Sequence, residues 1–389
     1  MNVLALNCGS STVKFRLVAV KPGAPAADGR ALAQGTETVH GDDYAAAIAR
    51  ALAAARAAGA VDAVGHRVVH GGPRFVMPTR VDDELISALK ELEALAPLHN
   101  RPSVAGILAC RDALGAAAPM VAIFDTAFHA KLPPAAMTYA IPTELATRHG
   151  IRRFGFHGIS YAWATARAAA MLGRRVADIR IVALHLGSGC SAAAIRGGVS
   201  VETSMGLTPL EGLVMRTRAG DVDPALPSLL ARVANATPAE VERWLNHDSG
   251  LRGLAGGDGD VRDLLAREAS DPRARLALDV FCHRARKYLG AYLAVLQGAD
   301  AVVFTAGIGE HSPEVRRRIA AGFEWCGLTL DPERNLSTLA RDGIIGADGS
   351  RVQALVVAAD EERQIAAETA SCLTGTVPGG GISSPRRSP

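Results

Sequence analysis

Short apolar runs that stop at small polar turns alternate along this chain with longer stretches whose apolar residues recur at helical spacing. The clearest case is Ile181–Ile195, IVALHLGSGCSAAAI. Ile181, Val182, Ala183 and Leu184 predict a buried strand. Gly187, Ser188, Gly189 and Cys190 predict a tight turn, and Ser191 to Ile195 the returning strand. So bare a turn lets backbone N–H groups approach an anion as phosphate-binding loops do, although an ordinary glycine hairpin looks the same. A second copy stands near the start, VLALNCGSSTVKFRLV from Val3 to Val18. With Asn7 set on His185, Gly9 falls on Gly187, Ser10 on Ser188 and Leu17 on Ile195. Self-similarity half a chain apart predicts a duplicated domain rather than a solenoid, whose periods are shorter.

The remaining elements follow the same alternation. Met1–Val20 predicts the first strand pair, with Lys14 on its second strand, and Lys21–Gly41 a short strand region with loops. Asp42–Ala58 predicts a helix capped by Asp42 or Asp43, with Ile48, Leu52 and Ala55 on one face. Val61–Val69 predicts a strand stopped by His70-Gly71-Gly72-Pro73. Asp82–Leu95 and Ser103–Leu114 predict helices, with Ala96–Pro102 as a loop between them. Met120–Thr126 predicts a strand delivering Asp125 at its carboxyl end, where ligands collect in open α/β sheets. Ile151–Ser160 sets His157 between glycines, ahead of a helix at Tyr161–Leu172. Met205–Pro224 is dense in glycine, threonine, proline and charge with little periodicity, which favours a site over core. Helices are predicted at Thr237–Asn246, Val261–Ala269 and Arg273–Gln297, and a strand at Ala301–Ala306 that enters a loop, Gly307-Ile308-Gly309-Glu310. A helix at Pro313–Ala321, a strand at Arg351–Ala358 and a helix at Asp360–Leu373, able to cross back to the first half, complete the pattern.

Composition narrows the class. A length of 389 residues predicts two or three domains, and 49% hydrophobic with 21% charged residues is the balance of a soluble globular protein. Aromatics are only 4% and alanine is abundant, so helices are expected to pack closely through small side chains. A net charge of +3 is too small to imply nucleic acid or an acidic membrane as partner. Cys8, Cys110, Cys190, Cys282, Cys326 and Cys372 form no CxxC pair, which argues against a zinc site or disulfide framework and fits a reducing cytosol. Neither a signal peptide nor an apolar run long enough to span a membrane is found. Alternating strands and helices also suit a dinucleotide-binding enzyme, but the opening turn is NCGSST rather than GxGxxG, and a hairpin follows it.

NCGSSTVKF, HRVVHGG, PLHN, FDTAFH, FGFHG, HLGSG, SMGLTPLEGL, TRAGDVDP and FTAGIGE, in this order from Asn2 to about Ala367, resemble the acetate kinase family. The resemblance implies duplicated ribonuclease-H-like α/β domains, of the actin and sugar-kinase type, with a cleft between them. It implies an N-terminal domain of residues 1–129 plus 362–376 and a C-terminal nucleotide-binding and dimerisation domain of residues 130–361; residues 377–389, Gly/Ser/Pro-rich, are expected to be a disordered tail. The implied activity is reversible transfer of the γ-phosphoryl group of ATP to acetate, giving acetyl phosphate and ADP with Mg²⁺, or Mn²⁺ in its place. A cytoplasmic homodimer, joined through the second half, is expected on the same ground.

The family's functional positions fall on residues suited to that chemistry, which is mostly positioning and charge stabilisation. Arg67 and Arg218 match the arginines at the carboxylate and at the moving phosphoryl group, where planar guanidinium forks suit both anions. His157 matches the transition-state stabiliser, and Asp125 the catalytic carboxylate. Because acetate carries no proton at neutral pH, Asp125 is assigned an orienting or metal-linked role rather than that of a base. Asn7 and Glu361 match the magnesium residues, with Glu362 as an alternative to Glu361. The nucleotide positions are Lys14; His185, Leu186, Gly187, Ser188 and Gly189; Asp260, Val261 and Arg262; and Gly307, Ile308, Gly309, Glu310 and His311. Taken alone, Asp260 and Arg262 read equally as a helix cap and a surface charge. Val69, Leu98, Phe156 and Pro209 match the pocket around the acetate methyl group, though as isolated residues they read as core.

Several positions depart from the family pattern. Ser188 stands where Asn is usual, Cys190 where Ser or Ala is common, His311 for Asn, Val261 for an aromatic residue, and ADEE for TNEE. These departures bear on nucleotide affinity and choice. Arg216 replaces a glycine, and is expected either to face solvent or pair with Glu211 or Asp221, or else to reach the phosphate side and replace a contact that Ser188 is too short to make. The rival readings are a propionate or butyrate kinase, separated only by pocket size, and, more distantly, a non-catalytic actin-like nucleotide-binding protein.

Overall fold

The structure, a computed structural model, describes residues 1–92 and 97–376; the side chains of residues 97–99 and the tail expected from residue 377 lie outside that description. Among the described residues two six-stranded sheets form. The first contains β1 (Asn2–Cys8), β2 (Thr12–Ala19), β3 (Arg30–Thr38), β4 (Ala63–Val68), β5 (Thr79–Arg80) and β6 (Met120–Phe124), in the order β3-β2-β1-β4-β6-β5. The second contains β7 (Arg180–Leu186), β8 (Cys190–Arg196), β9 (Val199–Thr203), β10 (Ala301–Thr305), β11 (Gly343–Ile344) and β12 (Gln353–Val357), in the order β9-β8-β7-β10-β12-β11. Each sheet is an antiparallel triplet, then two parallel strands, then an antiparallel edge. The duplication reaches the irregularities: the register of β2 against β3 shifts between Leu17 and Val18, and that of β8 against β9 between Ala194 and Ile195.

The period of two in β1 decides what covers the first sheet. Leu4, Leu6 and Cys8 point to one face and pack with Ile48, Leu52 and Ala55 of the helix Tyr44–Ala58, which Asp43 caps by accepting from the amide of Ala46 at 3.0 Å. Val3 and Ala5 point to the other face, where Ile365, Ala366 and Ala370 of the helix Glu361–Thr374 cover them. In the second sheet the long helix Pro272–Leu296 packs on β7 and β8. The capping box at Thr237 and Glu240 starts the helix Pro238–His247 as its sequence requires.

By contacts the chain forms two compact units, one of Met1–Ala130, Phe156–Ala166 and the described part of Asp360–Pro389, the other of Lys131–Gly155 and Arg167–Ala359. The sequence reading puts Phe156–Ala166 in the second domain. It groups with the first because Ile159 is buried among Ala5, Val121, Ile123 and Ile365.

Two expected loops are helical. Residues of APLHNRP open the helix Pro97–Leu114, which tolerates Pro102 near its start; Asn100, buried there, accepts from the amide of His70 at 3.1 Å and donates to its carbonyl at 3.0 Å. The helix expected from Asp82 runs over Asp83–Glu91, and its expected end at Leu95 lies outside the described residues. The glycine loop after β10 is the short helix Ala306–His311, and other short helices, Thr143–His149, Leu226–Val233 and Gly250–Ala255 among them, are not predicted by periodicity.

Candidate active site

In the first unit β4 and β6 run parallel and end side by side, so Arg67 and Asp125 emerge together at their carboxyl ends. The amide of Asp125 donates to the carbonyl of Val68 at 3.0 Å. Arg67 then grips the carboxylate as a fork, with Nη2 2.7 Å from Oδ2 and Nε 3.2 Å from Oδ1. Its third nitrogen, Nη1, lies 3.5 Å from Oε2 of Glu361. Burial pulls the Arg67 pKa down, but Asp125 and Glu361 outweigh it and hold the guanidinium charged. Glu361 and Glu362 open the last helix, whose cap, Asp360, accepts from the amide of Arg363 at 3.1 Å and from Nη1 of Arg16 at 2.6 Å. Burial raises the pKa of Glu362, and the charges of Glu361 and Asp360 add to the rise. Of the two glutamates, Glu361 holds the ion pair with Arg67.

His157 arrives by a different route. The amide of Gly158 donates to the carbonyl of Asp125 at 3.0 Å, and His157 itself sits at φ 59, in the left-handed region. Behind it, Nε2 of His129 lies 3.0 Å from the carbonyl of Phe156. Burial pushes His129 down to about 4, so at neutral pH the ring is uncharged and this nitrogen carries the donated proton. At the end of β1, Asn7 pairs in register with Lys14 of β2, and the turn between them closes with the Gly9 amide on the Thr12 carbonyl at 2.8 Å.

The second unit gathers the glycine-rich segments. Thr305 is in register with His185, so the turn after β7 and the helix after β10 adjoin. A Cβ on Gly187 would lie 3.6 Å from that of Ala306. The turn is closed by the Gly187 amide on the Gly189 carbonyl at 3.1 Å and by Cys190 Sγ on the Gly187 carbonyl at 3.2 Å. Leu186 is fully buried at the end of β7, whereas Ser188 is exposed. In Ala306–His311, Gly307 and His311 are exposed and Ile308 half-buried, but Gly309 and Glu310 are buried. The Glu310 carboxylate is turned inward, accepting from the amide of Ala359 at 3.0 Å. Asp260 caps the helix Val261–Arg267, accepting from the Arg262 amide at 2.8 Å, and pairs with the Arg262 guanidinium at 2.7 Å; Val261 is buried.

Arg218 is half-buried and has no carboxylate partner among the described residues. Its Nη1 reaches the carbonyl of Pro209 at 3.1 Å and the sulfur of Met215 at 3.8 Å. Burial lowers its pKa, the signature of a cation short of an anion, while the nearby Cys190 acts weakly the other way. Arg216 meets none of its expected partners. Its Nη2 pairs with Asp258 Oδ2 at 2.7 Å and its Nε donates to the Asp258 carbonyl at 2.8 Å, whereas Glu211 is held by Arg153 and Tyr139, and Asp221 by Tyr288 and Arg284. Its amide donates to the Ser188 carbonyl at 3.2 Å, so the backbone rather than the side chain supports the turn.

Of the expected methyl pocket, Val69 is half-buried, Phe156 is buried edge-on to His70 with ring centroids 5.5 Å apart, Pro209 offers its carbonyl to Arg218, and Leu98 lies outside the described side chains. Sequence reasoning passed over Arg153. Its Nη1 donates to the carbonyls of Thr203, Ser204 and Met205, and Nη2 pairs with Glu211 at 2.6 Å, fixing the loop that carries Pro209. Its place beside FGFHG was the available signal. No cluster of three or more His, Cys, Asp or Glu side chains able to hold a metal occurs among the described residues.

Two sheets of one order, each with a glycine turn after its first strand, define a two-domain α/β protein of the actin and sugar-kinase type. The acetokinase family model matches residues 2–367, and the chain belongs to that family. It is 45% identical to the acetate kinase of Solibacter usitatus, over 96% of this chain and 99% of that one. Among solved structures it is similar to Porphyromonas gingivalis acetate kinase (TM-score 0.88, 34% identity, 96% of this chain and 99% of that one). It is also similar to a propionate kinase from Francisella tularensis (TM-score 0.85, 34% identity, 94% and 98%).

Proposed function

We propose that the protein is an acetate kinase, transferring a phosphoryl group reversibly between ATP and acetate to give ADP and acetyl phosphate. The observation that carries this reading is Arg218: a half-buried guanidinium with a carbonyl and a sulfur for company, and no carboxylate among the described residues. A cation in that condition suits a transferring phosphoryl group, whose charge spreads over its equatorial oxygens. Arg67, with Asp125 holding two of its nitrogens, is assigned the acceptor carboxylate, and Asp125 the orientation of that guanidinium rather than proton removal. His157 is assigned the donation of a hydrogen bond to the transferring group. Val69, Leu98, Phe156 and Pro209 are assigned to the methyl group. The turn His185–Gly189, the exposed Gly307 and His311, Lys14 and Asp260–Arg262 are assigned to the nucleotide.

A magnesium ion fits the donors on the first unit. Asn7 and Glu361 supply hard oxygens, and Glu361 heads the last helix beside Glu362, whose carboxyl pKa is raised first by burial and then by the charges of Glu361 and Asp360. Two protein ligands suffice for Mg²⁺, which keeps waters and takes phosphate oxygens. When bound, it would neutralise charge on the nucleotide phosphates. A homodimer and a cytoplasmic location belong to the same reading, and all six cysteines are free.

Propionate is a second acceptor to weigh, because the chain is as identical to the Francisella propionate kinase as to the Porphyromonas acetate kinase. Trapping acyl phosphate with hydroxylamine across acetate, propionate and butyrate tests both. Acetate is expected to be best, propionate slower and butyrate poor. Butyrate as the best substrate, or ATP turnover without acyl phosphate, would overturn the reading.

A further inference from the structure

Arg316 is the largest fully buried side chain among the described residues, 0% exposed, on the helix Pro313–Ala320. A buried charge normally has a carboxylate beside it, because desolvating an ion costs several kcal/mol. None pairs with Arg316 among the described residues, and burial alone pulls its pKa down to about 10. Every N–H it has is nevertheless used. Nε donates to Oδ1 of Asn335 at 2.8 Å, and Nη2 to the carbonyls of Asn335 at 2.6 Å and Thr338 at 3.0 Å. Nη1 donates to the carbonyls of Gly309 at 2.8 Å and Glu310 at 2.9 Å. Asn335 is braced in turn by its own Nδ2 on the Pro313 carbonyl at 3.0 Å.

Those last two carbonyls belong to Ala306–His311, a helix with little stability of its own. It is one of six residues with two glycines, its first residue, Ala306, is at φ 63, and Thr305 gives it no side-chain cap. Its final carbonyls have no helical partner and need donors. A guanidinium supplies them with a positive charge at the favoured end. We propose that Arg316 is a positioning residue for the nucleotide: from beneath, it holds Ala306–His311 in the shape that presents Gly307, Ile308 and His311, without touching the ligand. The proposal rests on the reading of this segment as nucleotide-binding.

The test separates the two. A Cβ at Gly307 meets nothing within 4 Å, so Gly307→Val obstructs the segment's surface without disturbing its packing. Gly307→Val is expected to weaken ADP binding in calorimetry, and unchanged binding would overturn the nucleotide reading of the segment and the proposal with it. Arg316→Lys keeps the charge but not the fork, so it leaves buried carbonyls unpaired and lowers the melting temperature; assayed well below its own melting transition it is expected to raise the KM for ATP about tenfold, as for one charge-assisted hydrogen bond, with the acetate KM within about twofold. Arg316→Ala is expected to regain ADP affinity on adding millimolar guanidinium. Should it not fold, Asn335→Leu, which removes the Nε acceptor, is expected to show the same selective rise in ATP KM. Equal rises for both substrates, or a nucleotide affinity unmoved in Arg316→Lys while Gly307→Val impairs it, would overturn the positioning role.

Discussion

The amide of Gly158 rests on the carbonyl of Asp125, 3.0 Å away, and a Cβ at position 158 would stand 2.1 Å from that oxygen. Glycine is required there because the obstacle is backbone, which cannot step aside. The contact joins the carboxylate at the end of β6 to the turn that holds His157. Gly158→Ala is therefore expected to cost about 1–3 kcal/mol, as overpacking does, and to lower kcat more than the melting temperature alone explains. Urea denaturation alongside turnover with acetate checks it; a variant of unchanged stability and rate contradicts the contact.

The two site arginines are expected to behave oppositely in stability. Arg67→Ala takes from Asp125, 1% exposed, the guanidinium that grips both of its oxygens, and loss of one member of a buried pair costs about 3–5 kcal/mol. Arg218 holds no such partner, so Arg218→Ala is expected to leave the melting temperature unchanged or raised while lowering kcat by roughly 10³-fold. Arg67→Ala should also raise the acetate KM. Calorimetric melting and initial rates of both purified variants decide the matter, and near-wild-type turnover in either removes that arginine from the site.

Arg216 was open to two readings from sequence, and the structure redirects both towards Asp258. Because its guanidinium is committed there, Arg216→Gly and Ser188→Asn are expected to act additively on nucleotide KM. Arg216→Gly and Asp258→Ala are expected to be non-additive, by a few tenths of a kcal/mol to about 1 kcal/mol for so exposed a pair. A double-mutant cycle with the coupling on Ser188 instead would restore the idea that Arg216 replaces a missing amide.

Acid should weaken the first unit through two buried histidines. His129 is pushed down to about 4 and His66 to about 3, both by burial, against an ordinary value of 6.5. Below pH 6.5 the unfolded chain binds protons that these folded rings refuse, so stability present at pH 7 is lost as the pH falls towards the folded values. At pH 5 the loss is on the order of 2 kcal/mol per histidine. Urea unfolding at pH 7 and pH 5 measures it, and His66→Leu is expected to remove part of the slope. An identical pH dependence in that variant would mean that other groups carry the effect.

What the sequence determined by itself is the duplication and the outline of the site. Apolar runs, turn residues and alternation are local, and the strand–turn–strand copies around Asn7 and His185 fold into like-ordered sheets, with irregularities near the aligned Leu17 and Ile195. Asp125 at the end of β6 was readable for the same reason, since a strand's end is set by nearby residues. What the tertiary structure decided are partnerships across long stretches of chain. The Asn100 amide on the His70 backbone turns an expected loop into a helix, and Ile159 carries its segment into the first unit. Arg216 meets Asp258, 42 residues on, rather than the acids nearer to it in sequence. Arg316, in a run of three arginines on a helix whose buried face the sequence does not mark, is buried whole. A side chain's partner depends on which segments packing brings within hydrogen-bond reach, and no local pattern of apolar and polar residues encodes that distance.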